Sequence, residues 1–157
     1  MLEIHIPGDD RPMNLSHLVL DYNGTVACDG RLISGVRERL ETLSAGLEIH
    51  ILTADTFGSV HEALAGIPCR LSIIPRQEQA QAKLRYVERL GPNSCVCVGN
   101  GRNDERMLRE AVLGIAVVQT EGAAVTAVLA ADVVTSGILD ALDLLLHPLR
   151  LMATLRS

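Results

Sequence analysis

Six short apolar runs constrain this chain more than any other feature. They lie at residues 18–21, 47–53, 70–74, 95–99, 114–118 and 132–135. Several do not alternate apolar with polar residues: Leu18-Val19-Leu20 and Cys95-Val96-Cys97-Val98 offer apolar side chains to both sides. Strands of that kind are buried on both faces, the condition of a parallel sheet covered by helices. Between the runs, apolar residues recur at helical spacing. Val36, Leu40 and Leu43 form one such set; Leu84, Val87 and Leu90 another; Val125, Val128 and Leu129 a third. A last helix carries Ile138, Leu142, Leu145 and Leu146, and Pro148 is expected to end it. This alternation predicts an α/β fold: a doubly wound, open parallel sheet of Rossmann-like type with helices on both faces. An extra N-terminal hairpin is expected, pairing residues 2–6 with 13–15 across Pro7-Gly8-Asp9-Asp10. Glu121-Gly122 is expected to begin a helix.

The chain has 157 residues, enough for one domain spanning 1–157. With one Phe, two Tyr and no Trp, its core must be built from aliphatic side chains. A net charge of −5 and no Lys/Arg cluster beside aromatics argue against a nucleic-acid partner. No apolar run approaches the roughly 20 residues of a membrane helix, so no membrane association is expected. The first twelve residues mix apolar and charged side chains and do not read as a secretory signal. A cytoplasmic protein is the expectation. Its four cysteines, Cys28, Cys69, Cys95 and Cys97, then read as free thiols. Cys95 and Cys97 share one strand face and read as small buried hydrophobes.

In an open α/β sheet, ligands bind beyond the carboxyl ends of the strands. Asp21, Thr53 and the segment Gly99-Asn100-Gly101-Arg102-Asn103-Asp104 each fall at such an end. Lys83, near the start of a helix, can reach the same edge. A strand-end carboxylate followed by Gly24-Thr25 suits a covalent phosphoryl acceptor. Asp104 suits a hard, oxygen-preferring cation, Mg²⁺ above all, placed between that carboxylate and a phosphate. Lys83 offers a positive charge, and the Thr53 hydroxyl and nearby backbone N–H groups offer donors. Such positioning and charge stabilisation are what phosphoryl transfer requires.

Taken in order, these segments resemble the motifs of the haloacid dehalogenase superfamily. Asp21-Tyr22-Asn23-Gly24-Thr25 resembles the first motif, Asp-x-Asp-Gly-Thr. Thr53 resembles the second, Lys83 the third, and Gly99 to Asp104 the fourth, Gly-Asp-Gly-x-Asn-Asp. Within the superfamily the likeness is nearest to small soluble proteins built like the phosphorylation domain of P-type ATPases. Thr53-Ala54-Asp55 and Ala131-Asp132-Val133-Val134 carry it alongside the fourth motif. The resemblance implies a Mg²⁺-dependent phosphohydrolase with Asp21 as nucleophile and Lys83 as a catalytic cation. It implies Thr53, Ala54, Lys83 and Asn103 as phosphate-binding residues. The implied metal ligands are Asp21, the Asn23 backbone carbonyl, Asn100 and Asp104. The implied partner is a small phosphorylated substrate or a phosphoprotein.

Two positions depart from the pattern. Asn23 stands where family phosphatases carry a general acid/base, and an amide cannot exchange a proton near neutral pH. Turnover through the phospho-enzyme is therefore expected to be slow, and a phospho-dependent regulatory module is the alternative. Asn100 replaces a metal-ligating Asp, so looser Mg²⁺ binding is expected. The intervals 21–53 and 53–83 are too short for an inserted cap domain. An uncovered site of this kind suggests a homo-oligomer, with the apolar residues after 148 as a contact. Asp55 reads equally as a border of the substrate entrance or a solvated loop acid, and Arg102 as facing the phosphate or a solvated loop residue; Asp29 reads as a turn residue, and His50 and His61 as structural histidines.

Overall fold

The computed structural model describes residues 1–55 and 58–157. A six-stranded, all-parallel sheet forms its centre. An N-terminal hairpin precedes it, in which β1 (Leu2–Ile4) pairs antiparallel with β2 (Met13–Leu15). The first central strand is β3 (His17–Asp21), whose three middle residues, Leu18, Val19 and Leu20, are wholly buried. A small ribbon of β4 (Ala27–Cys28) and β5 (Arg31–Leu32) then leads into α1 (Val36–Leu43). Asp29 and Gly30 turn that ribbon with positive φ angles of 50° and 78°, the backbone of a tight two-residue hairpin.

The chain continues through β6 (Glu48–Thr53), α2 (Ser59–Leu64), β7 (Arg70–Ile73) and α3 (Gln79–Leu90). It then crosses the sheet to β8 (Cys95–Gly99), α4 (Glu105–Glu110), β9 (Leu113–Val117), α5 (Val125–Ala130) and β10 (Val133–Thr135). Two C-terminal helices follow, α6 (Ile138–Leu146) and α7 (Pro148–Leu155). The sheet order is β10-β9-β8-β3-β6-β7. Strand β3 thus sits between β6 and β8, where the winding reverses, the place at which such sheets open a crevice for ligands.

Two aliphatic layers cover the sheet. Leu18, Leu20, Ile49, Ile51, Val96 and Val98 pack with residues of α1 and α6 on one face. Val19, Cys95 and Cys97 pack on the other with Val87 of α3 and Met107 and Leu108 of α4. Asp21 follows Val19 by two residues and so shares the α3 face. Among the described residues no helix is long and apolar enough to cross a membrane. The four cysteines are free, with Cys95 and Cys97 buried.

Two local expectations need correction, and one helix was not expected. Glu121 and Gly122 form a turn in which Gly122 has φ 71° and donates to the Gln119 carbonyl at 2.8 Å. The helix begins three residues later, at Val125. The helix carrying Ile138 to Leu146 ends before Pro148 as expected, but it is not the last: Pro148 opens α7 at a first-turn position that needs no N–H. Helix α4, six residues long, is too short to declare itself by periodicity.

Candidate functional site

The carboxyl ends of β3, β6 and β8 converge with α3 on a cleft of about 310 Å³. Asp21 is its floor, 7% exposed at the last position of β3. From α3, Lys83 reaches down with its side chain 1% exposed. Its Nζ donates to Asp21 Oδ1 and to Asp104 Oδ1, both at 2.6 Å. Asp104 Oδ2 accepts the backbone N–H groups of Asn100 at 3.0 Å and Gly101 at 2.8 Å. That bonding folds the fourth-motif loop around its own carboxylate. Gly99 is required for this approach, because a Cβ there would lie 2.5 Å from the Asp104 carboxyl.

The loop after Asp21 is held from two sides. Gly24 has φ 81°, and a Cβ on it would meet the Asn100 amide at 2.6 Å, so only glycine suits this position. The Thr25 hydroxyl lies 3.1 Å from Asp21 Oδ2 and 3.2 Å from Asn100 Oδ1. One hydroxyl proton cannot satisfy both oxygens at once. Asn100 cannot turn away, because its amide nitrogen donates to the Gly122 carbonyl at 3.0 Å. The result is an oxygen-rich face formed by Asp21 Oδ2 and Asn100 Oδ1. Two buried carboxylates with one lysine also leave the site with excess negative charge. Both observations fit a hard divalent cation with oxygen ligands. Asp21, Asn100, Asp104 and the backbone at Asn23 are the residues available to hold it.

The electrostatics express the same imbalance. Burial, and then the neighbouring Asp104 carboxylate, raise the Asp21 pKa from 3.8 to about 7 against the opposing pull of Lys83. Burial by itself would lower the Lys83 pKa, but the two carboxylates and their hydrogen bonds raise it, so the lysine stays charged. A folded-state carboxyl pKa above the unfolded value means that the folded chain binds more protons between about pH 4 and 7. In chelator, stability should therefore fall as pH rises through that window and level off above it. Urea melts at several pH values measure this. The expected difference between wild type and Asp21→Asn is a slope of at most about 1.4 kcal/mol per pH unit.

Thr53 is buried at the end of β6, and its Oγ1 accepts the Asp55 N–H at 3.1 Å. That bond orients the hydroxyl and leaves its proton for a ligand. Ala54, Asn23 and Asn103 line the same cleft. The Asn103 amide donates to Gln79 Oε1 at 2.7 Å, so a phosphate would have to share or displace that bond. Asn23 is exposed, and Asp55 also borders the cleft. Arg102 is exposed, and Asp29 serves the β4–β5 turn. His50 is buried in β6, where burial lowers its pKa to about 4 and keeps the ring neutral.

Gln119 was not foreseen. Its Nε2 donates to the carbonyls of Gly24 at 3.0 Å and Thr25 at 2.7 Å, while its Oε1 accepts the Ile138 N–H at 3.0 Å. It pins the loop after Asp21 to the start of α6. A single Gln beyond a strand carries no pattern by which sequence alone would find it.

No family model matches the chain. Over 80 residues it is 48% identical to Uncharacterized protein MJ0073 of Methanocaldococcus jannaschii, covering 48% of this chain and 86% of that one. Over 39 residues it is 54% identical to Uncharacterized protein MJ0072 of the same organism, covering 25% and 89%. The chain belongs to their family. Among solved structures it is similar to 3-deoxy-D-manno-octulosonate 8-phosphate phosphatase from Moraxella catarrhalis, in complex with magnesium, phosphate and a KDO molecule. The TM-score is 0.68 at 18% identity, over 86% of this chain and 87% of that one. It is also similar to the cobalt-bound deoxy-D-mannose-octulosonate 8-phosphate phosphatase from Haemophilus influenzae, with TM-score 0.71, 14% identity and coverage of 86% and 89%. The chain shares the fold of these phosphatases, the fold that its motif resemblance implies. In this fold the interval from β3 to β6 holds only the β4–β5 ribbon and α1. Among the described residues the interval from β6 to β7 holds only α2.

Proposed function

We propose that this protein is a divalent-metal-dependent phosphohydrolase that works through an aspartyl phosphate on Asp21 and discharges it slowly. The observation that carries this reading is the buried triad of Asp21, Lys83 and Asp104 at the switch point of the sheet. A carboxylate oxygen of Asp21 attacks phosphorus, and the bond to the leaving oxygen breaks with its electron pair. Water then attacks the phosphoryl group and releases phosphate and the free carboxylate. Lys83 and the Thr53 hydroxyl orient the phosphoryl oxygens. A bound Mg²⁺ would supply charge neutralisation between Asp21 and the phosphate. The phosphatases of like fold that bind magnesium, phosphate or cobalt support a divalent ion and a phosphate-bearing substrate.

Asn23 sets the balance between the two half-reactions. It stands at the cleft without a titratable proton, so neither the leaving oxygen nor the attacking water receives acid–base help. Aryl and acyl phosphates, whose leaving groups need no proton, are the expected good substrates. Asn23→Asp should raise the rate of phospho-enzyme discharge by ~10²–10⁴-fold. Rapid-quench measurement of phosphate release after a single loading with p-nitrophenyl phosphate tests this. An unchanged discharge rate would remove Asn23 from the explanation.

The same residue favours a second reading, in which a persistent aspartyl phosphate is itself the signal. Steady-state turnover separates the two. Stoichiometric phosphorylation without multiple turnovers supports a regulatory role, whereas repeated turnover supports a hydrolase.

Asn100 yields a further expectation. An Asp at that position would point a carboxylate oxygen at the Gly122 carbonyl, where the amide now donates. Asn100→Asp should therefore lower the melting temperature in chelator and increase the stabilisation gained on adding Mg²⁺. Paired thermal melts with EDTA and with Mg²⁺ measure both. A variant stabilised in EDTA would contradict this account of the amide.

A further inference from the structure

The end of the sheet away from Asp21 carries a second group of side chains that the proposed chemistry does not use. Strands β3 and β6 run parallel with His17 opposite Glu48 and Val19 opposite His50. His17, Glu48 and His50 therefore project from the same face, the one covered by α3. His17 Nδ1 lies 3.2 Å from His50 Nε2 and 3.5 Å from Glu48 Oε2. Among the described residues, no other three His, Cys, Asp or Glu ligand atoms converge in this way; these lie within 4.8 Å of one another.

We propose that His17, Glu48 and His50 form a binding site for a borderline transition-metal dication of the Zn²⁺ type, distinct from the cleft around Asp21. Ligand atoms bound at about 2.0–2.1 Å to a tetrahedral ion are separated by about 3.3 Å. Two of the three edges already have that length. Closing the third asks only the Glu48 carboxylate to swing, and its side chain is 38% exposed. Two His and one Glu with a fourth position open to water is a recognised zinc set. The set contrasts with the oxygen-rich cleft, which suits a harder ion.

The surroundings prepare the ligands. His50 Nδ1 lies 2.9 Å from the Tyr86 hydroxyl, which also receives the Ser72 hydroxyl at 3.3 Å. Of the two His50 tautomers, the one that directs Nδ1–H at Tyr86 leaves the Nε2 lone pair facing His17, as metal binding requires. Arg70 Nε holds Glu48 Oε1 at 2.7 Å and leaves Oε2 facing His17. Outer partners of this kind fix the orientation of metal-bound histidine and carboxylate. In that tautomer and without an ion, a single proton on His17 Nδ1 would have to serve both His50 Nε2 and Glu48 Oε2. An ion satisfies all three atoms. Glu48 and Arg70 also line a surface cavity of about 480 Å³ at this end of the sheet.

The test is titration of the chelator-stripped, full-length protein with Co²⁺ in excess Mg²⁺, read by visible absorption. One equivalent of Co²⁺ is expected to give the intense d–d bands of a tetrahedral ion, without thiolate charge transfer. Asp21→Asn should retain these bands, whereas His17→Gln and His50→Gln should each abolish them. Tyr86→Phe should weaken binding by about tenfold. Melts in EDTA establish that each variant folds. If buried His50→Gln fails to fold, His17→Gln at the partly exposed strand end decides the matter. Absence of tetrahedral bands, their loss in Asp21→Asn, or their survival in His17→Gln would overturn the proposal and leave a plain His17–His50 hydrogen bond. These outcomes do not depend on phosphatase activity.

Discussion

Asp21→Asn should reduce Mg²⁺-dependent hydrolysis of p-nitrophenyl phosphate by at least about 10³-fold, to background. Loss of a covalent nucleophile from a site whose groups act as a unit leaves little for the remainder to do. The substitution is nearly isosteric, so the fold should survive it. It should do better than survive. In the native site Asp21 and Asp104 face a single lysine, and one carboxylate is held near neutrality by burial and repulsion. An amide at position 21 removes that repulsion, so the variant should be more stable than wild type at pH 7 and above in chelator. A loss of activity accompanied by a gain in stability separates a chemical role from a structural one. Equal activity in both proteins would end the aspartyl-phosphate account.

Lys83→Met should have the opposite signature. The lysine is 1% exposed and is bonded to two carboxylates at 2.6 Å each. Removing one partner from a buried ionic group, leaving unpaired charge behind, costs about 3–5 kcal/mol. For a chain of this length that corresponds to a fall in melting temperature of roughly 10 °C. Protonation of Asp21 offsets part of the cost, so the deficit should be smaller at pH 5 than at pH 8. Mg²⁺ should restore part of the lost stability, since an ion bound by the same carboxylates replaces the missing charge. Activity should also fall by about 10²–10³-fold, as expected when a preorganised charge is removed from a phosphoryl-transfer site. An unchanged melting temperature would mean that Lys83 does not lie between the two acids.

The sheet was legible because burial on both faces leaves a plain mark in the sequence. The unbroken apolar runs at β3 and β8 admit little else, and the strand ends follow from them. That Asp21, Thr53, Lys83 and Asp104 meet at one edge of the sheet was legible for the same reason, each standing near a strand end or an early helical turn. What the sequence withheld depends on contacts across the fold. Helix α4 is too short for a period. Gln119 acts through backbone carbonyls 94 and 95 residues away. The meeting of His17 with Glu48 and His50 depends on the parallel register of β3 and β6, and no local pattern encodes that register. Helix α7 escaped notice because a proline that ends one helix can also open the next.

The central claim is that Asp21 becomes phosphorylated readily and is released slowly for want of an acid at position 23. It is tested most directly by intact-protein mass spectrometry after rapid acid quench of the Mg²⁺-loaded protein with p-nitrophenyl phosphate. The expected result is a single phosphoryl adduct that accumulates in wild type, maps to Asp21, is absent from Asp21→Asn and is greatly diminished in Asn23→Asp. An adduct that persists in Asp21→Asn, or turnover in wild type with no adduct at any quench time, would contradict it.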